Sequence, residues 1–370
     1  MKIVCNKTNL LNSVNIVLRA VPAKTTMPIL ACIVIHAENE TIKLTANDME
    51  LAIESYVLGD VHEAGKLAIN AKIFSEIIRK LPDNDVTISV NDNYEVMILC
   101  ENAKFKLSGK PCDEFPDLPQ IEKRNCIKLS QFTLKEVIRQ TVFSIADSET
   151  NKIMTGELFE VHQNELKVVS LDGHRISIRK IQLKKDYETI KVIVPGKTLN
   201  EISKVLPGDT DKDVSLFFTD KHIVCEFDQT TVVSRLIEGE YYKIDQMLSN
   251  DYETKVKINK KEFLSCIDRA NLLVKESEKK PIVINVMDSK LELSMNSSLG
   301  SMKEEISVTK EGKDILIGFN PKFLMDALRV VDDEEVDIYL FNPKAPCFIK
   351  DKEESYIYLI LPVNFNAGVN

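Results

Sequence analysis

The chain has 370 residues, 44% of them hydrophobic, and a formal net charge of −9. That length holds two or three domains with ample apolar material for a core in each, and the negative charge argues against a simple basic nucleic-acid binder. No apolar run is long enough to cross a membrane, and Asn6, Lys7, Asn9 and Asn12 interrupt what would be the apolar core of a signal peptide.

In chain order, Met1–Leu18 reads as a strand, a polar turn and an amphipathic helix. Lys24–Leu30 (KTTMPIL) leads into a strand at Ala31–His36, with Met27–Pro28 favouring an extended backbone. Strands follow at Ile42–Thr45 and Leu51–Val57, with Asn47–Asp48 as the turn between them. From Gly65 to Val90 a strand, a helix with apolar face Ile73, Phe74, Ile77 and Ile78, and another strand succeed one another. Val96–Cys100 and Lys104–Leu107 are further strands, and Pro111–Pro119 (PCDEFPDLP) is a linker candidate.

The same order then returns twice. Cys126–Ile145 and Lys255–Val274 repeat the opening strand and helix. Stretches beginning at Ile190 and Lys313 repeat the one beginning at Gly65, with helix faces Leu199, Ile202, Val205 and Phe323, Leu324, Ala327, Leu328. The spacing of about 125 residues makes the repeat unit a whole domain. The expected fold class is therefore α+β: three tandem domains at 1–124, 125–250 and 251–370, each two copies of strand–helix–strands. The last strand, Tyr356–Leu361, precedes Pro362 and a polar tail, Asn364–Asn370. That strand reads either as core or as a lip left open for a partner.

Charge is unevenly spread. The six repeated helices, taken as Lys7–Ala20, Ala71–Lys80, Gln131–Phe143, Gly196–Val205, Asn259–Ala270 and Asn320–Val330, carry fourteen basic and six acidic residues. They sum to +8 within a chain of −9, as expected if the helices share one basic surface and the strands present an acidic one.

Signals for catalysis are weak. Asp172 and His174 in Val168–Ile178 (VVSLDGHRISI) would suit an acid/base pair, but Asp-Gly equally suits a hairpin turn, and no nucleophile motif lies nearby. Gly196-Lys197-Thr198 resembles the end of a phosphate loop, yet Lys191 stands where that motif needs glycine. His36, His62, His162 and His222 lie singly in or beside strands. Eight scattered cysteines, Cys5, Cys32, Cys100, Cys112, Cys126, Cys225, Cys266 and Cys347, include no CxxC pair and read as buried reduced thiols of a cytoplasmic protein. Neither metal nor cofactor is expected.

Seven stretches together resemble the bacterial sliding clamp, the β subunit of DNA polymerase III: KTTMPIL, LTANDMEL (Leu44–Leu51), DEFPDLP (Asp113–Pro119), VVSLDGHR (Val168–Arg175), VIVPGK (Val192–Lys197), GFNPKFLMDAL (Gly318–Leu328) and LILPV (Leu359–Val363). The resemblance spans the whole chain. It implies a homodimeric ring around duplex DNA with helices on the inner wall and sheets outside. Such a ring is a processivity factor and not an enzyme: it holds DNA without reading sequence and tethers the replicative polymerase, clamp loader and repair proteins through short linear peptides. Basic family positions fall on Lys24, Lys72 and Lys197; Arg79, Lys135, Arg139, Lys204, Lys260, Arg269 and Lys322 complete the expected DNA-facing set.

The family's peptide groove maps to Met154, Leu171, Gly173, His174, Arg175, Ile176, Tyr242, Met247, Leu359, Leu361, Pro362 and Val363, and its ring interface to Phe105 and Leu107 against Leu272 and Leu273 of the other copy. Departures from the family pattern are Tyr242 in place of proline, Gln246 and Asn364 in place of basic residues, Ser148–Lys152 without the usual arginine or aromatic residues, and a longer tail. Two rivals remain: a clamp-like peptide-binding scaffold without a DNA role, and a hydrolase built on Asp172 and His174.

Overall fold

The computed structural model describes residues 1–119, 121–123, 126–147, 150–248, 251–274 and 280–365. The expected boundaries at 124/125 and 250, Ser148 and Glu149, and the tail from 366 lie outside the described residues.

Six α-helices occur among the described residues: α1 (Lys7–Val17), α2 (Ala71–Lys80), α3 (Gln131–Thr141), α4 (Gly196–Val205), α5 (Lys260–Asn271) and α6 (Pro321–Val330). Each follows directly on a strand, and at five of the six the residue at the junction explains the switch. Asn6, Asn70, Asn259 and Asn320 accept a hydrogen bond from a first-turn amide through the side-chain oxygen. The Ser130 hydroxyl accepts from the Thr133 amide at 3.0 Å. These caps satisfy amides that the helix itself leaves unpaired. α1 and α3 each tighten into a 3₁₀ turn, Leu18–Ala20 and Val142–Ser144, so both are shorter than the apolar period implied. On α2, Ile73 is 50% exposed while Ala71, Phe74, Ser75 and Ile78 are buried. The inward face is thus the 71–74–75–78 stripe, and Ile73 is corrected off it.

The chain divides into two compact units, Met1–Lys135 with Asn200–Leu236, and Glu136–Leu199 with Ile237–Asn370. The first holds a five-stranded sheet in the order Gly59–Glu63, Lys2–Asn6, Asp85–Val90, Glu95–Cys100, Ala103–Ser108. It also holds an eight-stranded sheet, Ile127–Ser130, Asp213–Phe218, His222–Phe227, Thr230–Arg235, Leu51–Val57, Thr41–Asn47, Cys32–Glu38, Gly65–Asn70. The second unit holds a seven-stranded sheet, Gly156–Leu171, Arg175–Pro195, Tyr356–Ile360, Cys347–Lys350, Glu335–Leu340, Thr254–Asn259, Thr309–Gly312. Its four-stranded sheet runs Gly300–Ser307, Lys290–Ser297, Ile282–Met287, Ile315–Phe319.

Strands of different repeats pair inside each unit. Thr230–Ser234 runs antiparallel to Ser55–Leu51, and Arg175–Arg179 to Ile360–Tyr356. Joining edge to edge in this way satisfies a row of backbone groups that an isolated domain would expose. It also shares out the central repeat between the two units, a division that the sequence period does not show.

Among the strands that the sequence does not announce are Gly59–Glu63 and Thr309–Gly312. Both are short and polar, without the alternation that marks a half-buried strand. The Pro-rich stretch at 111–119 packs down on its unit: Phe115 is buried with Ile29, Leu30, Cys32, Val34 and Ala68. The strand Tyr356–Ile360 is buried along its whole length and is therefore core. The lip begins one residue later, at Leu361.

Candidate functional site

The turn between Gly156–Leu171 and Arg175–Pro195 organises the site. Asp172 Oδ1 accepts from the amides of His174 at 2.9 Å and Arg175 at 3.1 Å. Gly173 has φ of 87°, a left-handed conformation that glycine takes without strain. The Arg175 side chain is 7% exposed. It donates to Asp172 Oδ2 (3.0 Å), Asp326 Oδ2 (2.7 Å) and the Phe143 carbonyl (2.5 Å), and lies 4.5 Å over the Phe323 ring. Two carboxylates, a carbonyl and a π-face compensate the desolvated charge. The His174 ring stacks on Phe323 at 6.0 Å. Both Asp172 oxygens are thus committed to shaping the turn and holding Arg175, which does not favour an acid/base role with His174.

Beside this turn opens a cavity of about 530 Å³, lined by Met154, Leu171, Gly173, His174, Arg175, Ile176, Tyr242, Met247, Pro346, Leu359 and Leu361. Ten of the twelve groove positions expected from sequence line it, although they come from stretches some 200 residues apart. The floor is closely packed: Leu171, Ile176 and Leu359 are buried in a cluster with Ile178, Ile193, Ile237, Tyr241 and Phe348. The rim is open, with Tyr242 38%, Met247 51% and Leu361 37% exposed. The Asn151 side-chain amide donates to the Tyr242 hydroxyl, so the tyrosine that replaces the family's proline is held at its tip.

Pro362 and Val363 do not line the cavity. The Leu361 amide donates to the His174 carbonyl at 2.9 Å, and the Val363 amide donates to Gly318 at 2.8 Å, which turns the chain away. A Cβ on Gly318 would stand 2.6 Å from the Phe365 ring, so that close approach requires glycine. Pro346 was missed because a lone proline before a short strand carries no functional signal. Phe143, Phe323 and Asp326, which hold Arg175, were missed because helix periodicity accounts for them equally well.

The ten basic residues differ in how they are engaged. Arg139 donates to Glu136 and Asp332, Lys204 pairs with Glu201 at 2.7 Å, and Arg269 pairs with Glu304. Lys135 Nζ donates to the Leu206 carbonyl (3.0 Å) and Lys260 Nζ to the Val331 carbonyl (2.7 Å), each at the C-terminal end of a helix. Lys24, Lys72, Arg79, Lys197 and Lys322 are exposed. At the expected ring interface, Phe105 is 37% exposed on Ala103–Ser108, which ends the five-stranded sheet. Leu272 is 78% exposed, whereas Leu273 packs partly on the core of its own unit.

A tandem array of strand–helix–strand domains, with helices springing from capped strand ends and strands paired across repeats, is the DNA clamp fold. Family models of the DNA polymerase III β subunit match its N-terminal domain at residues 1–119, its central domain at 128–243 and its C-terminal domain at 245–364. A beta sliding clamp of Staphylococcus epidermidis is 34% identical over 98% of this chain and 99% of its own length. A crystal structure from Eubacterium rectale assigned to the DNA polymerase III β subunits is 63% identical, with a TM-score of 0.96 over 99% of this chain and all of that one. The Bacillus subtilis DNA polymerase sliding clamp is 34% identical at a TM-score of 0.95, with the same coverage. The chain belongs to the bacterial DNA polymerase III β subunit family, the sliding clamps, whose members are processivity factors and not catalytic enzymes.

Proposed function

We propose that two copies of this sliding clamp close head to tail into a ring around duplex DNA, and that each copy tethers the polymerase and other DNA-processing proteins by short peptides held in the cavity at the Asp172–Arg175 turn. The observation that carries the docking site is the convergence of ten residues from distant stretches on one apolar cavity with a buried floor and an open rim, the form of a small recognition site. A glutamine and two large apolar side chains of the partner peptide would anchor there. Phe105 and Leu107 meet Leu272 and Leu273 of the second copy, and Leu272 carries most of that contact because Leu273 already packs at home. The domains run 1–124, 125–250 and 251–370, and the ring works in the bacterial cytoplasm.

DNA is held without base contacts. Lys24, Lys72, Arg79 and Lys322, all exposed, face phosphates most directly; Lys197 lies in the same set, and Lys135, Arg139, Lys204, Lys260 and Arg269 share their charge with partners on the chain. Weak phosphate contacts give salt-sensitive, sequence-independent attraction that permits sliding. The test is retention on nicked circular DNA. The ring stays on the closed circle and leaves when the circle is cut; a scaffold without a DNA role is retained on neither. Neutralising Lys24, Lys72 and Lys197 together weakens association alike for all sequences and lowers the salt slope by roughly one per lost contact. An unchanged slope would remove these residues from the DNA-facing set.

A further inference from the structure

The first unit contains a second cavity built on the same backbone plan as the groove. The chain turns at Asp48 as it does at Asp172: Asp48 Oδ1 accepts from the amides of Glu50 (3.0 Å) and Leu51 (2.7 Å). Met49 has φ of 78° where Gly173 has 87°. Ala52 pairs with Val233 as Ile176 pairs with Leu359. The Arg235 amide donates to the Glu50 carbonyl at 3.0 Å, as that of Leu361 does to His174. Glu114-Phe115-Pro116 runs past this turn as Glu240-Tyr241-Tyr242 runs past the other. The cavity so formed measures about 220 Å³.

Its lining differs in kind. Ala52 and Val233 form a small buried apolar floor. Asn47 replaces Leu171, His222 replaces Pro346, and Arg235 replaces Leu361. Asn47 is 6% exposed and its side-chain oxygen accepts from the Met49 amide at 2.7 Å, while its amide nitrogen donates to no described residue. Arg235 is exposed and makes no ion pair among the described residues. Burial and the neighbouring Arg235 and Lys221 hold the His222 imidazole below its usual range. Two donors without acceptors among the described residues therefore border an apolar floor. Glu50 and Asp117 on the rim disfavour a strongly acidic ligand.

We propose that this second cavity docks a linear peptide that sets a single carboxylate against Arg235 and Asn47 and a small apolar side chain over Ala52 and Val233. The proposal rests on the reading of the first cavity as a peptide groove. It adds a second specificity, acidic and small where the first is large and apolar.

The test uses the full-length protein and two fluorescein-labelled probes read by anisotropy. The first peptide carries a glutamine and two large apolar anchors; the second is capped Gly-Val-Asp-Val-Gly. The second probe is expected to saturate the protein without displacement by the first. Arg235→Glu, or asparagine for aspartate in the probe, should weaken it about tenfold or more, the scale of a charge-assisted hydrogen bond. Arg235→Glu should leave the first probe and the thermal transition unchanged. No saturable binding, binding to Arg235→Glu or Arg235→Ala as tight as to the native protein, or displacement by the first probe overturns the proposal. Failure of the first probe alone removes the groove reading and leaves the dependence on Arg235 to be judged on the second.

Discussion

The two turns at Asp48 and Asp172 show one backbone device with two chemistries. Register, aspartate capping and the left-handed residue are shared, while the side chains that point into the adjoining space are not. At Asp172 the strand that follows begins with Arg175, a buried charge; at Asp48 it begins with Leu51, which is 1% exposed. Under the hairpins the contrast repeats. Glu157 is fully buried in the second unit, paired with Val194, where Ile33 pairs with Ile69 in the first. Backbone geometry thus survives duplication because caps and register depend on few residues, whereas cavity chemistry is set by side chains free to diverge.

Removing the buried charge has the largest expected effect. Arg175→Ala leaves Asp172 and Asp326 without their cation and should destabilise the second unit by about 3–5 kcal/mol, measured by urea unfolding. The equivalent Leu51→Ala should act only on the first unit, and a single shared loss would refute the separate roles of the two positions. Next is Leu361→Asp, expected to cost about 2 kcal/mol or more in groove-peptide binding with the unfolding midpoint unchanged. Arg235→Leu, at the matching position, should leave that peptide's affinity as it was.

Glu157 supplies a pH-dependent contrast. Burial pushes its carboxyl up to about 8. The Thr141 hydroxyl lies 2.7 Å from the Val137 carbonyl and 2.9 Å from Glu157 Oε2. With its one proton given to Val137, the hydroxyl can accept from a protonated Glu157. The unfolded carboxyl ionises in the ordinary range while the folded one stays neutral. Folding therefore takes up a proton, and stability falls as pH rises from about 5 to 8, by at most ~1.4 kcal/mol per unit. Glu157→Gln should flatten that slope in pH-resolved thermal unfolding; an unaltered slope would mean that Glu157 is ionised in the fold. The smallest effect concerns the left-handed turn residues. Met49→Gly should stabilise the first unit by about 0.5–1 kcal/mol, and Gly173→Met should cost the second a similar amount, by thermal shift.

Much of this molecule was legible in its residues. The threefold period, the strand-to-helix switches at Asn6, Asn70, Asn259 and Asn320, and the Asp-Gly turn at Asp172 follow from local rules: capping, apolar periodicity and backbone freedom act within a few residues. The resemblance to a clamp named ten of the eleven cavity residues because a motif carries its spatial neighbours with it. Tertiary structure alone decided the rest. The pairing of Thr230–Ser234 with Leu51–Ser55 divides the central repeat between two units, and no local pattern records which edge strands will meet. Ile73 is apolar yet exposed, and Glu157 polar yet buried, because each face is set by what packs against it. Arg235 and Leu361 occupy equivalent places, yet nothing in the sequence around them marks the match. It appears only when each strand, 185 or 187 residues from its partner's turn, comes into register, since long-range contacts depend on the assembled fold and not on neighbours along the chain.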